Sequence, residues 1–272
     1  MIDDLIDMQP ALPPPATDDL STLSGAETRL FVHGDSKGLD RLDELRSLEA
    51  LWVGNVNEAQ LARIVARIAP LYLMFDGLRA ADLSPLRRLG RLQALEIRWD
   101  TKVSDISFLS GLQALRLFAL SHCPKVRDLS PLASLRDLEV LELSGGMWST
   151  FKPETLRPLA ALEKLWGLSL TNIRAGDESL EPIANLKRLR KLELSNQFPT
   201  REYARLSVAL PNTECRHFQP YFEVNFGKGR QVMVTGKGKP VLSLPQDQAR
   251  LDRYIGQFRA LQDEFRTQYA AR

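Results

Sequence analysis

The chain has 272 residues, 44% of them hydrophobic and 26% charged, enough to bury a large core in one elongated domain with a small appendage. A net charge of +2 supplies no whole-chain field that calls for a nucleic acid or a membrane surface. Two cysteines, Cys123 and Cys215, make no disulfide framework, so a reducing, cytoplasmic compartment is expected.

The amino-terminal stretch MIDDLIDMQPALPPPATDD is acidic and proline-rich. It has neither the basic start nor the apolar run of a signal peptide, and no later run is long enough to span a bilayer. Pro13-Pro14-Pro15 cannot join a helix or a central strand, so residues 1–25 are expected to form a flexible leader. The first strand is placed at Leu30-Phe31-Val32. The next unit runs from Leu39 to Val53 with leucines at every third position. In the looser unit after it, Leu61, Ile64, Val65 and Ile68 predict an outer α-helix before a strand at Leu71-Tyr72-Leu73.

The most regular part follows, from Asp82 to Gly146. It reads DLSPLRRLGRLQALEIRWD, DISFLSGLQALRLFALSHC and DLSPLASLRDLEVLELSGG, with leading apolar residues Leu83, Ile106 and Leu129 spaced by 106 − 83 = 129 − 106 = 23 residues. Within the first unit the apolar positions are Leu83, Leu86, Leu89, Leu92, Leu95 and Ile97. Steps of three suit one face of a short helix or 3₁₀ turn, and the final step of two suits a strand. Neither piece can bury its apolar edge alone, so the units must stack. Pro85, Pro131, Pro158 and Pro182 each fall two residues after the leading Leu. A helical turn begins there, where a missing N–H costs least.

The signatures Leu-x-x-Leu-x-Ile-x-x-Asp (92–100), Leu-x-x-Phe-x-Leu-x-x-Cys (115–123) and Leu-x-x-Leu-x-Leu-x-x-Gly (138–146) resemble the leucine-rich repeat. The D-L/I-S-P-L opening and the step near 23 resemble the internalin-like, short-repeat bacterial class. The resemblance implies an α/β solenoid with about nine parallel strands on a concave face and short helices or 3₁₀ turns outside. It implies a binding scaffold and does not name a partner. The turn position three past each strand's last core residue reads Asp35, Val56, Asp76, Asp100, Cys123, Gly146, Ile173 and Gln197, without the family's usual asparagine.

Past the three regular units, a longer one reaches the strand Leu168-Ser169-Leu170, its extra residues lying in SGGMWSTFKPE. A regular unit runs from Leu180 to Leu194, and a degenerate one ends in ALPNTECRHF. The solenoid is thus expected over residues 26–218. Over 219–272, FEVNF, RQVMVTG and PVLSL read as short strands. An amphipathic helix then places Leu251, Tyr254, Ile255, Phe258, Leu261, Phe265 and Tyr269 on one face. This β-hairpin and helix are expected to cap the open end of the solenoid.

No catalytic motif is found, and no cofactor or metal is expected. GKGRQVMVTGKGK has the wrong spacing for a phosphate loop. Its basic residues Lys228, Arg230, Lys237 and Lys239 leave a phosphate or nucleotide site there as the minor alternative. His122-Cys123 and Cys215-Arg216-His217 lie several strands apart, roughly 15–20 Å at the usual strand spacing, too far for one zinc.

The concave face carries the functional expectation. Residues between core positions point outward: Phe31, Trp52, Tyr72, Glu96, Ala119, Glu142, Ser169 and Glu193, with Met74 and Arg98 in the next column. The aromatic row with Met74 is read as an anchor for a partner protein, or else as a row covered by the leader residues Leu5, Ile6 and Met8. Glu96, Glu142 and Glu193, next to Arg98 and Trp99, form the polar rim, and Trp148 in the long insertion is a second candidate contact at the edge of the concave surface. The expected function is a monomeric, non-catalytic protein–protein recognition module, as inhibitor, immunity-type protein or adaptor. A secreted bacterial effector that binds host proteins is the alternative.

Overall fold

The computed structural model describes residues 12–146, 149–225, 227 and 229–271. Nine strands form a single parallel sheet in sequence order: β1 (Ala16–Asp19), β2 (Arg29–Lys37), β3 (Ala50–Gly54), β4 (Tyr72–Asp76), β5 (Ala94–Arg98), β6 (Leu117–Ser121), β7 (Val140–Ser144), β8 (Gly167–Thr171) and β9 (Lys191–Leu194). Each strand returns on the outside, through the helix α1 (Glu58–Val65) after β3 and through 3₁₀ turns of five residues before β5 to β9.

The repeated sequence explains the return. Asp82, Asp105 and Asp128 accept the N–H of Ser84, Ser107 and Ser130 at 2.8, 2.7 and 2.8 Å, fixing the start of each turn. Pro85 and Pro131 then occupy the first helical positions. Leu86, Leu109, Leu132, Leu159 and Ile183 point from those turns into the core, where they meet the strand residues Leu95, Phe118, Leu141, Leu168 and Leu192. Every repeat contributes to one continuous apolar interior.

Three sequence expectations need correction. Residues 16–19, placed in the flexible leader, form β1, where Ala16 and Thr17 pair with Phe31 and Val32. The degenerate last unit, ending in ALPNTECRHF, adds no full strand and contributes one bridge, Lys191 to Glu214. The third correction concerns β4: Leu73 and Phe75 are its core residues, paired with Leu51 and Val53, so Met74 lies beside Trp52, and Tyr72 lies beside Ala50. The run LYLMF is apolar throughout, and a shift by two keeps the alternation of faces. The second outward column therefore holds Asp76 where Met74 was expected, and the turn position of this repeat is Leu78.

At the carboxyl end α2 (Thr200–Ala209) closes the last repeat. Beyond it β10 (Tyr221–Val224), β11 (Arg230–Val234) and β12 (Val241–Leu244) form an antiparallel meander, one strand more than a hairpin, followed by α3 (Gln248–Ala270). Phe258 of α3 enters the main core. Arg201 of α2 forks onto Glu264 of α3 at 2.8 and 2.7 Å. Asn196, just past β9, donates to the Val234 carbonyl at 2.9 Å and accepts the Gly236 N–H at 2.6 Å. These bonds fasten the cap to the end of the sheet.

Candidate functional site

The concave face divides into a closed half and an open half. On the amino-terminal strands Trp52 and Tyr72 are fully buried, at 0% exposure each, and pack with Ala50, Met74, Ala94, Leu117, Ala119 and Val140 as a second apolar layer. Phe31 and Trp166 are half-buried against it. The Trp52 and Tyr72 rings lie 4.8 Å apart, and the Arg29 guanidinium sits over the Trp52 ring at 5.1 Å. The expected aromatic anchor is thus interior. The leader residues Leu5, Ile6 and Met8, considered as its cover, lie outside the described residues, as does Trp148.

Polar groups at the centre of this face are tied together. The Tyr72 hydroxyl donates to Glu96 Oε1 at 2.7 Å, and Arg98 donates to Glu96 Oε2 at 2.5 Å. Burial, then the Glu96 charge, pushes the Tyr72 phenol well above its ordinary range. Glu96 is therefore a satisfied buried carboxylate and not an open contact. Glu142 is half-buried two strands away. Loss of water raises its pKa first and the charge of Glu96 adds to that, while Arg98 opposes. Glu193, on the last strand, is exposed and accepts from Ser169 Oγ at 3.3 Å. It lines an open hollow with Lys191, Glu214 and Arg216.

The downstream edge of the sheet, where the chain leaves each strand, is different. The residue two past the last core position carries a left-handed backbone at Asn55 (φ 53°), Gly77 (φ 75°), Trp99 (φ 59°), His122 (φ 57°) and Asn172 (φ 47°). Gly tolerates that region freely and Asn and His visit it most among the other residues, whereas an ordinary side chain's Cβ crowds the following carbonyl oxygen at roughly 1–2 kcal/mol. Trp99 and His122 nonetheless occupy it in adjacent repeats. Their rings stack with centroids 3.6 Å apart and planes 24° apart, and Trp99 is 48% exposed. The His122 ring lies on Gly146, where an added Cβ would approach it to 2.2 Å. Desolvation lowers the His122 pKa, with Asp76 opposing, which favours the neutral ring. Below it Asp100 is buried and accepts the N–H groups of Lys102 and Val103 at 2.7 and 3.2 Å, holding the turn after Trp99 in place. The sequence showed Trp99 as a neighbour of the rim. Its backbone conformation and its partner ring were not visible there.

The basic residues of the cap are largely occupied. Lys237 forms an ion pair with Glu178, Arg230 one with Glu223 at 2.9 Å, and Lys239 lies over the Tyr254 ring at 5.1 Å. Lys228 lies outside the described residues. His122 and Cys123 stand at the end of β6, whereas Cys215 and His217 follow β9. Among the described residues no three His, Cys, Asp or Glu side chains converge as metal ligands. No helix among them is long and apolar enough to cross a membrane.

No protein-family model matches the chain, and no curated protein matches it. Among solved structures it is similar to internalin C2 of Listeria monocytogenes, with 24% identity over 63% of this chain and 62% of that one and a TM-score of 0.44. A second Listeria monocytogenes internalin gives 20% identity over 68% and 58%, with a TM-score of 0.49. The chain therefore spans about three fifths of the internalins it matches. TLR13, solved in complex with the RNA ssRNA13, gives 20% identity over 69% of this chain and 28% of that one, with a TM-score of 0.50. At these identities the likeness concerns the fold.

Proposed function

Taking as premise that this chain is a leucine-rich-repeat protein, we propose that it is a non-catalytic recognition module that binds a partner protein at the downstream edge of its sheet. Trp99 and His122 form the centre of that contact. The observation behind this reading is the exposed Trp99 ring, held at a backbone position where Asn55, Gly77 and Asn172 stand in other repeats. A large aromatic kept in a strained conformation at the surface serves something other than the fold. Arg98 and Asp76 beside it supply a polar rim. The buried Trp52–Tyr72 layer braces the strands beneath.

Two roles suit such a module. One is a cytoplasmic inhibitor or adaptor that occupies a protein of its own cell. The other is an effector that engages a foreign protein, and the identity of the partner separates them. The test places the photo-crosslinking residue benzoylphenylalanine at position 99 and, as a control, at position 259 on the exposed face of α3. Irradiation in native lysate should give a discrete adduct from position 99 alone. Excess unlabelled wild-type protein should compete it away, and excess Trp99→Asn should not. Equal adducts from both positions, or none from 99, would remove the downstream edge as the binding surface.

A further inference from the structure

The upstream edge of the sheet, where the chain enters β7, β8 and β9, carries a cluster of charged and aromatic side chains. The residues just before these strands are Glu139, Trp166 and Arg190, and those two places earlier are Asp137, Lys164 and Arg188. The ladder sets them side by side: the Trp166 N–H donates to the Glu139 carbonyl at 2.9 Å, and the Arg190 N–H donates to the Trp166 carbonyl at 2.8 Å. Adjacent strands lie about 4.8 Å apart, so the six side chains form two rows of three on one edge.

The charges in these rows are used unevenly. Glu139 accepts both Nε and Nη2 of Arg116, at 2.9 and 3.1 Å. Asp137 pairs with Lys164 at 2.5 Å. Both carboxylates are thus committed. Arg188 and Arg190, both exposed, make no side-chain hydrogen bond or ion pair among the described residues. The next positions in the rows, Pro211 and Thr213, offer no counter-charge, and Thr213 Oγ1 is turned onto the Leu189 carbonyl at 2.8 Å. Together Glu139, Lys164, Trp166, Arg188 and Arg190 line an open hollow of about 360 Å³. Two uncommitted guanidiniums therefore stand side by side next to a half-buried indole.

We infer that this hollow docks an acidic protein segment. Its carboxylates would fork onto Arg188 and Arg190, and an apolar side chain between them would lie against Trp166. Guanidinium and carboxylate match as planar two-pronged partners, and an aromatic beside them supplies contact area. A discrete peptide suits the site better than the continuous phosphate chain of a nucleic acid, because the uncommitted charge in this hollow is two arginines at one strand entry rather than a row that follows a phosphate backbone. The surface stands on the opposite edge of the sheet from Trp99 and does not depend on that contact.

The test uses the full chain and a fluorescein-labelled hexaglutamate peptide, followed by fluorescence anisotropy at low salt. Wild type should bind saturably. Arg188→Glu/Arg190→Glu should weaken binding by about tenfold or more. Arg253→Glu/Arg259→Glu changes two exposed arginines of α3 and alters the net charge equally, and it should stay within about twofold of wild type. Circular dichroism would establish that both variants are folded. Absence of saturable binding by wild type would overturn the assignment, and so would equal weakening by the two double variants. A short oligothymidylate that displaces the peptide and binds more tightly would replace it with a nucleic-acid surface.

Discussion

His217 offers a quantitative test of how the cap is joined to the solenoid. It lies in the segment after β9, fully buried at 0% exposure, with its ring stacked on Tyr203 at 5.3 Å and edge-on to Phe222 at 4.8 Å. Tyr203 belongs to α2 and Phe222 to β10, so the imidazole fills the joint between last repeat and meander. Neither ring nitrogen has a hydrogen-bond partner among the described residues. Burial first, and the Arg216 charge second, push its pKa down from 6.5 to about 4. Because the folded state holds this proton less tightly than the unfolded chain, stability from this group is full above about pH 6.5 and is lost as pH falls towards 4. The complete loss amounts to roughly 3 kcal/mol, of which about 2 kcal/mol is gone at pH 5. His217→Phe keeps both ring contacts and removes the titration. Denaturant unfolding of the two proteins at pH 7.5 and pH 5 gives a double difference in which the carboxylates cancel. Wild type should lose about 2 kcal/mol more than the variant over that interval. Identical losses would refute the claim that a neutral, unpartnered imidazole sits in the joint.

Three further outcomes follow from the same interior. Trp52→Ala should lower unfolding stability by about 3–5 kcal/mol, as for a core aromatic, and a change below about 1 kcal/mol would return Trp52 to the surface. Tyr72→Phe should cost about 1–3 kcal/mol in the same assay, because Glu96 loses its 2.7 Å donor while buried; a neutral result would mean that water reaches Glu96. Burial pushes the thiol pKa of Cys123 up to about 12 and that of Cys215 up to about 11. Buried Cys123 should not react with Ellman's reagent in the folded protein at pH 8, half-buried Cys215 should react more slowly than in denaturant, and both should react fully in denaturant.

The solenoid was readable in the sequence because its rule is local. A leucine every third residue, then a step of two, sets turn and strand within each repeat, and stacking needs nothing from distant residues. The failures occur where that rule is silent. In LYLMF every side chain is apolar, so a slip of two places satisfies the same alternation and only the neighbouring strands fix the register. β1 consists of ATDD, a polar strand stabilised by its place beside β2 rather than by its own composition. The concave aromatics were correctly placed on the inner face, but periodicity does not distinguish an open face from a buried second layer. Trp99 illustrates the opposite limit. Its importance lies in a backbone angle, which the identity of the residue alone conceals and even argues against.

That angle also makes the central claim directly measurable. In Trp99→Asn the relief of a left-handed Trp, roughly 1–2 kcal/mol, is set against the loss of the ring stack with His122, about 0.5–1.5 kcal/mol. Denaturant unfolding of this variant, with capture of the crosslinked partner measured on the same preparation, tests the downstream edge most directly. The account predicts stability within about 1 kcal/mol of wild type and loss of the partner. A variant destabilised by several kcal/mol, or one that still captures the partner, would show that Trp99 serves the fold and contradict the assignment.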